Sequence, residues 1–65
     1  MNATDFLLQD EGTIAVLFPL TTAAEAWVEE HLAADAIYWT SGVVIEHRFV
    51  APIVAGILDD GLEVR

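Results

Sequence analysis

The sequence predicts one small α+β domain: a two-layer sandwich in the order β-β-α-β-β-α, with a mostly antiparallel sheet and both helices on one face. Three observations carry that expectation. Two pairs of β-branched or aromatic runs are each joined by a short glycine-containing turn. Each pair is followed by a stretch whose apolar residues recur at helical spacing. The chain has 65 residues, which bounds it to one domain over 1–65.

Asp5 to Gln9 reads as a short strand, with Phe6 and Leu8 on one face and Leu7 on the other. Asp10-Glu11-Gly12 is a turn signal. Thr13 to Phe18 is the strongest strand, with Ile14, Val16 and Phe18 on one face and Ala15 and Leu17 on the other. Two apolar faces mark a central strand, or one covered by a partner. Pro19 has no N–H for a ladder and ends it.

Thr22-Ala23-Ala24-Glu25 matches a capping box, so a helix is expected from Ala23 to about Ala33. Ala24, Trp27, Val28, His31 and Leu32 form its inner stripe, and Glu25, Glu29 and Glu30 point outward. Asp35 marks a break. Ala36 to Trp39 and Val43 to His47 read as a second hairpin about a Ser41-Gly42 turn. Phe49 to Leu58 is helical in spacing, and Pro52 requires the helix to begin near Phe49 or Val50. Gly61 suits a left-handed cap, and Leu62-Glu63-Val64 alternates as a final edge strand would. The order divides into two hairpin-then-helix halves, with Gly12-Thr13-Ile14 matching Gly42-Val43-Val44.

Apolar residues make up 55% of the chain, above the roughly 45–50% usual for globular proteins. A fold of this size buries only about 60% of its unfolded surface, so an apolar face is left over. A homodimer is the simplest way to cover it. Eleven acidic residues face two basic ones, Arg48 and Arg65, for a net charge of −9. That balance argues against direct binding to nucleic acid or to an anionic membrane, and admits a basic protein partner. The plainer use of the charge is to keep an apolar small protein in solution.

There is no cysteine, hence no disulfide or thiolate metal site. The N-terminus lacks a basic leader, and the longest apolar run, Ile14 to Leu20, is far below the ~20 residues of a membrane span. A cytoplasmic location is the expectation.

Motifs that carry chemistry are absent: no phosphate-cradling glycine loop, no His-Glu-x-x-His, no nucleophile elbow. His31 and His47 each follow a glutamate, but adjacent residues point apart and cannot chelate locally. A metal site would need the two to converge through the fold. No catalytic residue, cofactor or metal ligand is assigned, and the chain is read as a non-enzyme. Gly56 inside the second helix suggests close packing on the sheet. Trp27 reads as core. Tyr38 and Trp39 alternate on one strand, so one of them faces away from the helices, toward solvent or a partner. Arg48 either pairs with Glu46 or anchors an interface. Asp59 and Asp60 extend an acidic surface with Glu29, Glu30, Asp35 and Glu63. Tyr38, Trp39, Arg48, Asp59 and Asp60 are therefore the candidate interface residues.

The pattern Gly12-Thr13-Ile14, Pro19-Leu20-Thr21 leading to Trp27-Val28 and His31-Leu32, then Val43 to Phe49, then Asp59 to Val64 resembles a group of short uncharacterised bacterial proteins. They are often encoded on plasmids, phages or integrated elements. The likeness spans Gly12 to Val64 and implies a mobile-element setting, with no activity attached. The reading is a homodimeric protein–protein interaction module. The alternative is an acidic inhibitor that mimics nucleic acid against restriction or CRISPR machinery, which carboxylates clustered on one surface would favour and even scattering would disfavour.

Overall fold

Two hairpins meet through their second strands, and that pairing builds the sheet. The computed structural model describes residues 4–32 and 37–65. In chain order these form β1 (Phe6–Asp10), β2 (Ile14–Pro19), α1 (Thr22–His31), β3 (Ile37–Trp39), β4 (Gly42–Glu46) and α2 (His47–Asp59). The expected Ala33 helix end, Asp35 break and Ala36 strand start lie outside the described residues.

The sheet order is β1-β2-β4-β3, with every neighbouring pair antiparallel. This is the predicted α+β architecture, with β2 central as its two apolar faces required. The order is symmetric about the β2–β4 pair, with each hairpin contributing its second strand to the centre. The matching of Gly12 with Gly42 is corrected by the turns. Glu11 N donates to Ile14 O across Gly12-Thr13, while Trp39 pairs with Gly42 across Thr40-Ser41. Gly12 thus corresponds to Thr40, and both have positive φ, 94° and 58°. The second turn is Thr40-Ser41 rather than Ser41-Gly42, because Gly42 has another use. A Cβ there would lie 2.9 Å from Phe18 Cε1 and closer still to Val16 Cγ1, so only glycine fits beneath those side chains.

Pairing assigns the faces. Leu8, Leu17 and Val43 share one row; Ala15 and Ile45 share the next. Both helices cover this side, where Phe6, Leu17, Ala24, Trp27, Val28, Val43, Ile45 and Ile57 form the core. The Phe6 and Trp27 rings meet edge to face at 5.9 Å.

The α1 cap is Thr21, not the expected Thr22. The Thr21 hydroxyl accepts from Ala24 N at 3.1 Å and donates to Asp5 Oδ1 at 2.7 Å. Glu25 is thereby excluded from a capping box. Asp5 prefers the earlier threonine because it ties three segments together: Leu20 N donates to its carbonyl, and Glu63 N donates to its Oδ2.

The second helix begins at His47, two residues before the expected start, directly from β4 with Glu46 as N-cap. Pro52 is its sixth residue, so the Arg48 carbonyl has no intrahelical donor. Ile57 in the core, with Val50 and Ile53 packed against it, holds the helix in place despite that loss. Its C-terminus closes as expected. Gly61 N donates to Leu58 O and Leu62 N to Ile57 O, with Gly61 at φ 83°. The chain then runs beside β1 in a parallel bridge between Phe6 and Val64, and Arg65 N donates to Phe6 O. This is the predicted final edge segment, and it covers the β1 edge.

Candidate functional site

The side of the sheet turned away from the helices is a continuous apolar surface. Register places Leu7, Phe18, Gly42 and Trp39 in one row, Gln9, Val16, Val44 and Ile37 in the next, and Ile14 with Glu46 at the end. Ile37 is 67% exposed and Trp39 51% exposed, while Val16 at the centre is fully buried by its neighbours. Among the described residues Gln9 and Glu46 are its polar members, and Glu46 lies at the margin, with its Oε2 3.4 Å from Arg48 Nη2.

Of the two neighbouring aromatics, Trp39 faces away from the helices. Tyr38 pairs with Val43 and so shares the helix side, next to Val28, Glu25 and Glu29 of α1. They do not form one patch. Arg48 packs its guanidinium 4.8 Å from the centre of the Phe49 ring and keeps its Glu46 pairing. The structural expectation for Arg48 is thus met at an exposed site, where such a pair adds little stability.

Asp60 is engaged internally. Its Oδ2 accepts from Trp27 Nε1 at 2.7 Å and lies 3.8 Å from His31 Nε2. His31 stacks on Trp27 with ring centres 4.2 Å apart. The Trp27 carbonyl, 2.9 Å from His31 Nδ1, can only accept, so the proton sits on Nδ1. No spacing signal in the sequence announces this Trp27–His31–Asp60 cluster, which ties α1 to the C-cap of α2 through residues 33 apart in sequence. Asp59 is exposed beside it.

His47 lies at the other end of α2, with Nε2 3.2 Å from Ile14 O and 3.3 Å from Asp10 Oδ1. The 13 residues of α2 separate the two imidazoles by about 20 Å along the helix axis. They do not converge. No group of three possible metal ligands forms among the described residues. The described carboxylates and both imidazoles all reach the surface, since no described polar or charged residue is buried.

The carboxylates divide into groups. Glu25, Glu29 and Glu30 are exposed on α1. Asp5, Asp10, Glu46, Asp60 and Glu63 are bonded within the chain. Asp10 and Glu11 project at the β1–β2 turn, at the opposite end of α2 from Asp59. The acidic candidates Asp59 and Asp60 are therefore remote from Arg48, which opens α2.

Two grooves flank α2. One, of about 650 Å³, runs between α2 and the first hairpin, floored by Leu8, Ala15, Val50 and Val54 and rimmed by Ala51 and Ala55. Asp10 and His47 stand at one end of it and Leu58 at the other. The second, of about 630 Å³, lies between the helices above β4 and holds Trp27, Phe49, Pro52 and Ile53. Gly56 borders it, and a Cβ there would sit 3.5 Å from Trp27 Cζ2, an ordinary contact. Close packing therefore does not require that glycine, contrary to expectation. No helix of the described residues is long and apolar enough to cross a membrane. No family model, curated protein or solved structure matches the chain.

Proposed function

We propose that this protein is a non-enzymatic interaction module that pairs with a second copy of itself through the open face of its sheet. The observation that carries the reading is the composition of that face. In a chain of net charge −9, it presents Leu7, Ile14, Phe18, Ile37, Trp39 and Val44 with one marginal carboxylate among the described residues. Two such chains repel over most of their surfaces. A face nearly free of charge is the surface on which they can meet, whereas a basic partner would find few carboxylates there.

The footprint sets the strength. Four strands spaced ~4.8 Å apart and about five residues long give a flat area of roughly 300 Å². Side-chain relief increases the accessible area, but the sum stays below the ~800 Å² per partner of a standard interface. The dimer is therefore reversible, with dissociation in the micromolar range or weaker. Replacing Val44 by Glu places a second carboxylate near the centre of the face. Sedimentation of Val44→Glu against the parent chain tests the reading: the variant stays monomeric at concentrations where the parent pairs, and equal masses refute it.

The exposed row Glu25, Glu29 and Glu30 supports a second reading, in which α1 imitates a nucleic-acid backbone to occupy a basic groove. A cytoplasmic, bacterial mobile-element setting suits either role. Changing all three glutamates to Gln would abolish inhibition under the second reading and leave self-association intact under the first.

A further inference from the structure

We infer that the groove between α2 and the first hairpin is a docking site for a basic amphipathic helix of a partner protein. This surface lies on the helix side of the sheet, opposite the self-association face, so the inference stands independently of pairing.

Three features of α2 point to it. From Phe49 to Leu58 the helix has no charged and no hydrogen-bonding side chain, although Phe49, Ala51, Pro52, Ala55 and Leu58 are exposed. A solvent-facing side of a helix is ordinarily polar. Ala51, Ala55 and Leu58 fall at i, i+4 and i+7, a single outward stripe. Alanines at this spacing let another helix approach closely, and the adjoining groove supplies an apolar floor of Leu8, Ala15, Val50 and Val54. Such a groove, read by anchors at i, i+3 or i+4 and i+7, is the geometry of helix-in-groove recognition.

Charge selects the occupant. Asp10 lines the hairpin end beside His47, the exposed Glu11 follows it in the turn, and beyond Leu58 at the other end the exposed Asp59 continues the Ala51–Ala55 spacing. The cation closest in sequence, Arg48, is drawn to Glu46 and the Phe49 ring, on the side of the second groove. Carboxylates at both ends of an apolar floor match a helix with an apolar stripe and Lys or Arg toward its ends. The matching length is that of α2, about 20 Å or roughly four turns.

The test uses three synthetic peptides of ~14 residues, matched to that span. One has leucines on a single helical stripe and arginines at both ends. The second has the same composition scrambled to destroy the stripe. The third keeps the stripe and replaces arginine by glutamate. Binding is titrated by NMR shift perturbation of the intact chain, at protein concentrations on both sides of any self-association. The expected result is at least tenfold tighter binding of the first peptide than of the other two, with shifts confined to α2 and the first hairpin. Ala55→Arg should weaken it at least tenfold, and Asp59→Arg severalfold. Leu58→Gln, at another exposed position, serves if Ala55→Arg fails to fold by circular dichroism. Equal binding of the scrambled peptide shows charge attraction alone and overturns the proposal. So does an Ala55→Arg effect on the mass of the protein without an effect on peptide binding, which would assign this face to a second copy.

Discussion

Truncating Trp39 to alanine separates pairing from folding. Trp39 is 51% exposed on the open face. A tryptophan presents up to about 250 Å², so roughly 100–125 Å² is available for burial on each copy. At ~25 cal/mol per Å², covering it contributes about 2.5–3 kcal/mol per copy. A twofold interface counts the residue twice, giving about 6 kcal/mol as an upper bound. Side-chain ordering and imperfect coverage reduce the realised part to about half, which corresponds to a loss of about a hundredfold in dimer affinity. Folding loses only what the covered half of the side chain contributes, up to about 3 kcal/mol by the same coefficient, and this is measured separately. Sedimentation equilibrium measures the first quantity and thermal melting the second. An affinity within threefold of the parent would refute the placement of Trp39 in the interface.

Other substitutions test the fold that presents these surfaces. Gly42→Ala forces Val16 and Phe18 aside and should cost about 1–3 kcal/mol by urea unfolding. Gly56→Ala meets only an ordinary contact with Trp27 and should stabilise by up to about 1 kcal/mol in the same assay. Thr21→Ala should cost about 1–2 kcal/mol, because the residue both caps α1 and bonds Asp5, while Thr22→Ala stays within about 0.5 kcal/mol. Each kcal/mol shifts the midpoint by roughly 4–8 °C in a chain this small. Asp60→Ala leaves the indole N–H of the nearly buried Trp27 without its acceptor, costing about 1–3 kcal/mol and shifting the intrinsic fluorescence.

The layers, the element order and the strand faces were legible because they follow from side-chain periodicity. Leu8 and Leu17 against Leu7 and Phe18 could be sorted by alternation alone. Which of Tyr38 and Trp39 faces outward could not, because strand parity is fixed only once the register with β4 is known. The boundary misses share a cause: local chemistry offered two answers and a distant residue chose between them. Asp5, sixteen residues away, selects Thr21 over Thr22 as the cap. Val16 and Phe18 require Gly42 within the strand, which moves the positive φ to Thr40. Proline's local preference for the first turn points to a later helix start, and the packing of Val50, Ile53 and Ile57 on the core overrides it. Residue type alone marks the candidate interface residues, and the fold distributes them: Trp39 on the open face, Tyr38 on the helix side, Arg48 and Asp59 at opposite ends of α2, and Asp60 bonded to Trp27.

The most direct measurement of the central claim is the solution mass by light scattering over a dilution series from millimolar to sub-micromolar protein. Self-association through the open sheet face predicts twice the mass of the 7.1 kDa chain at the concentrated end, falling smoothly to the single-chain value on dilution. A single-chain mass across the whole series would contradict it.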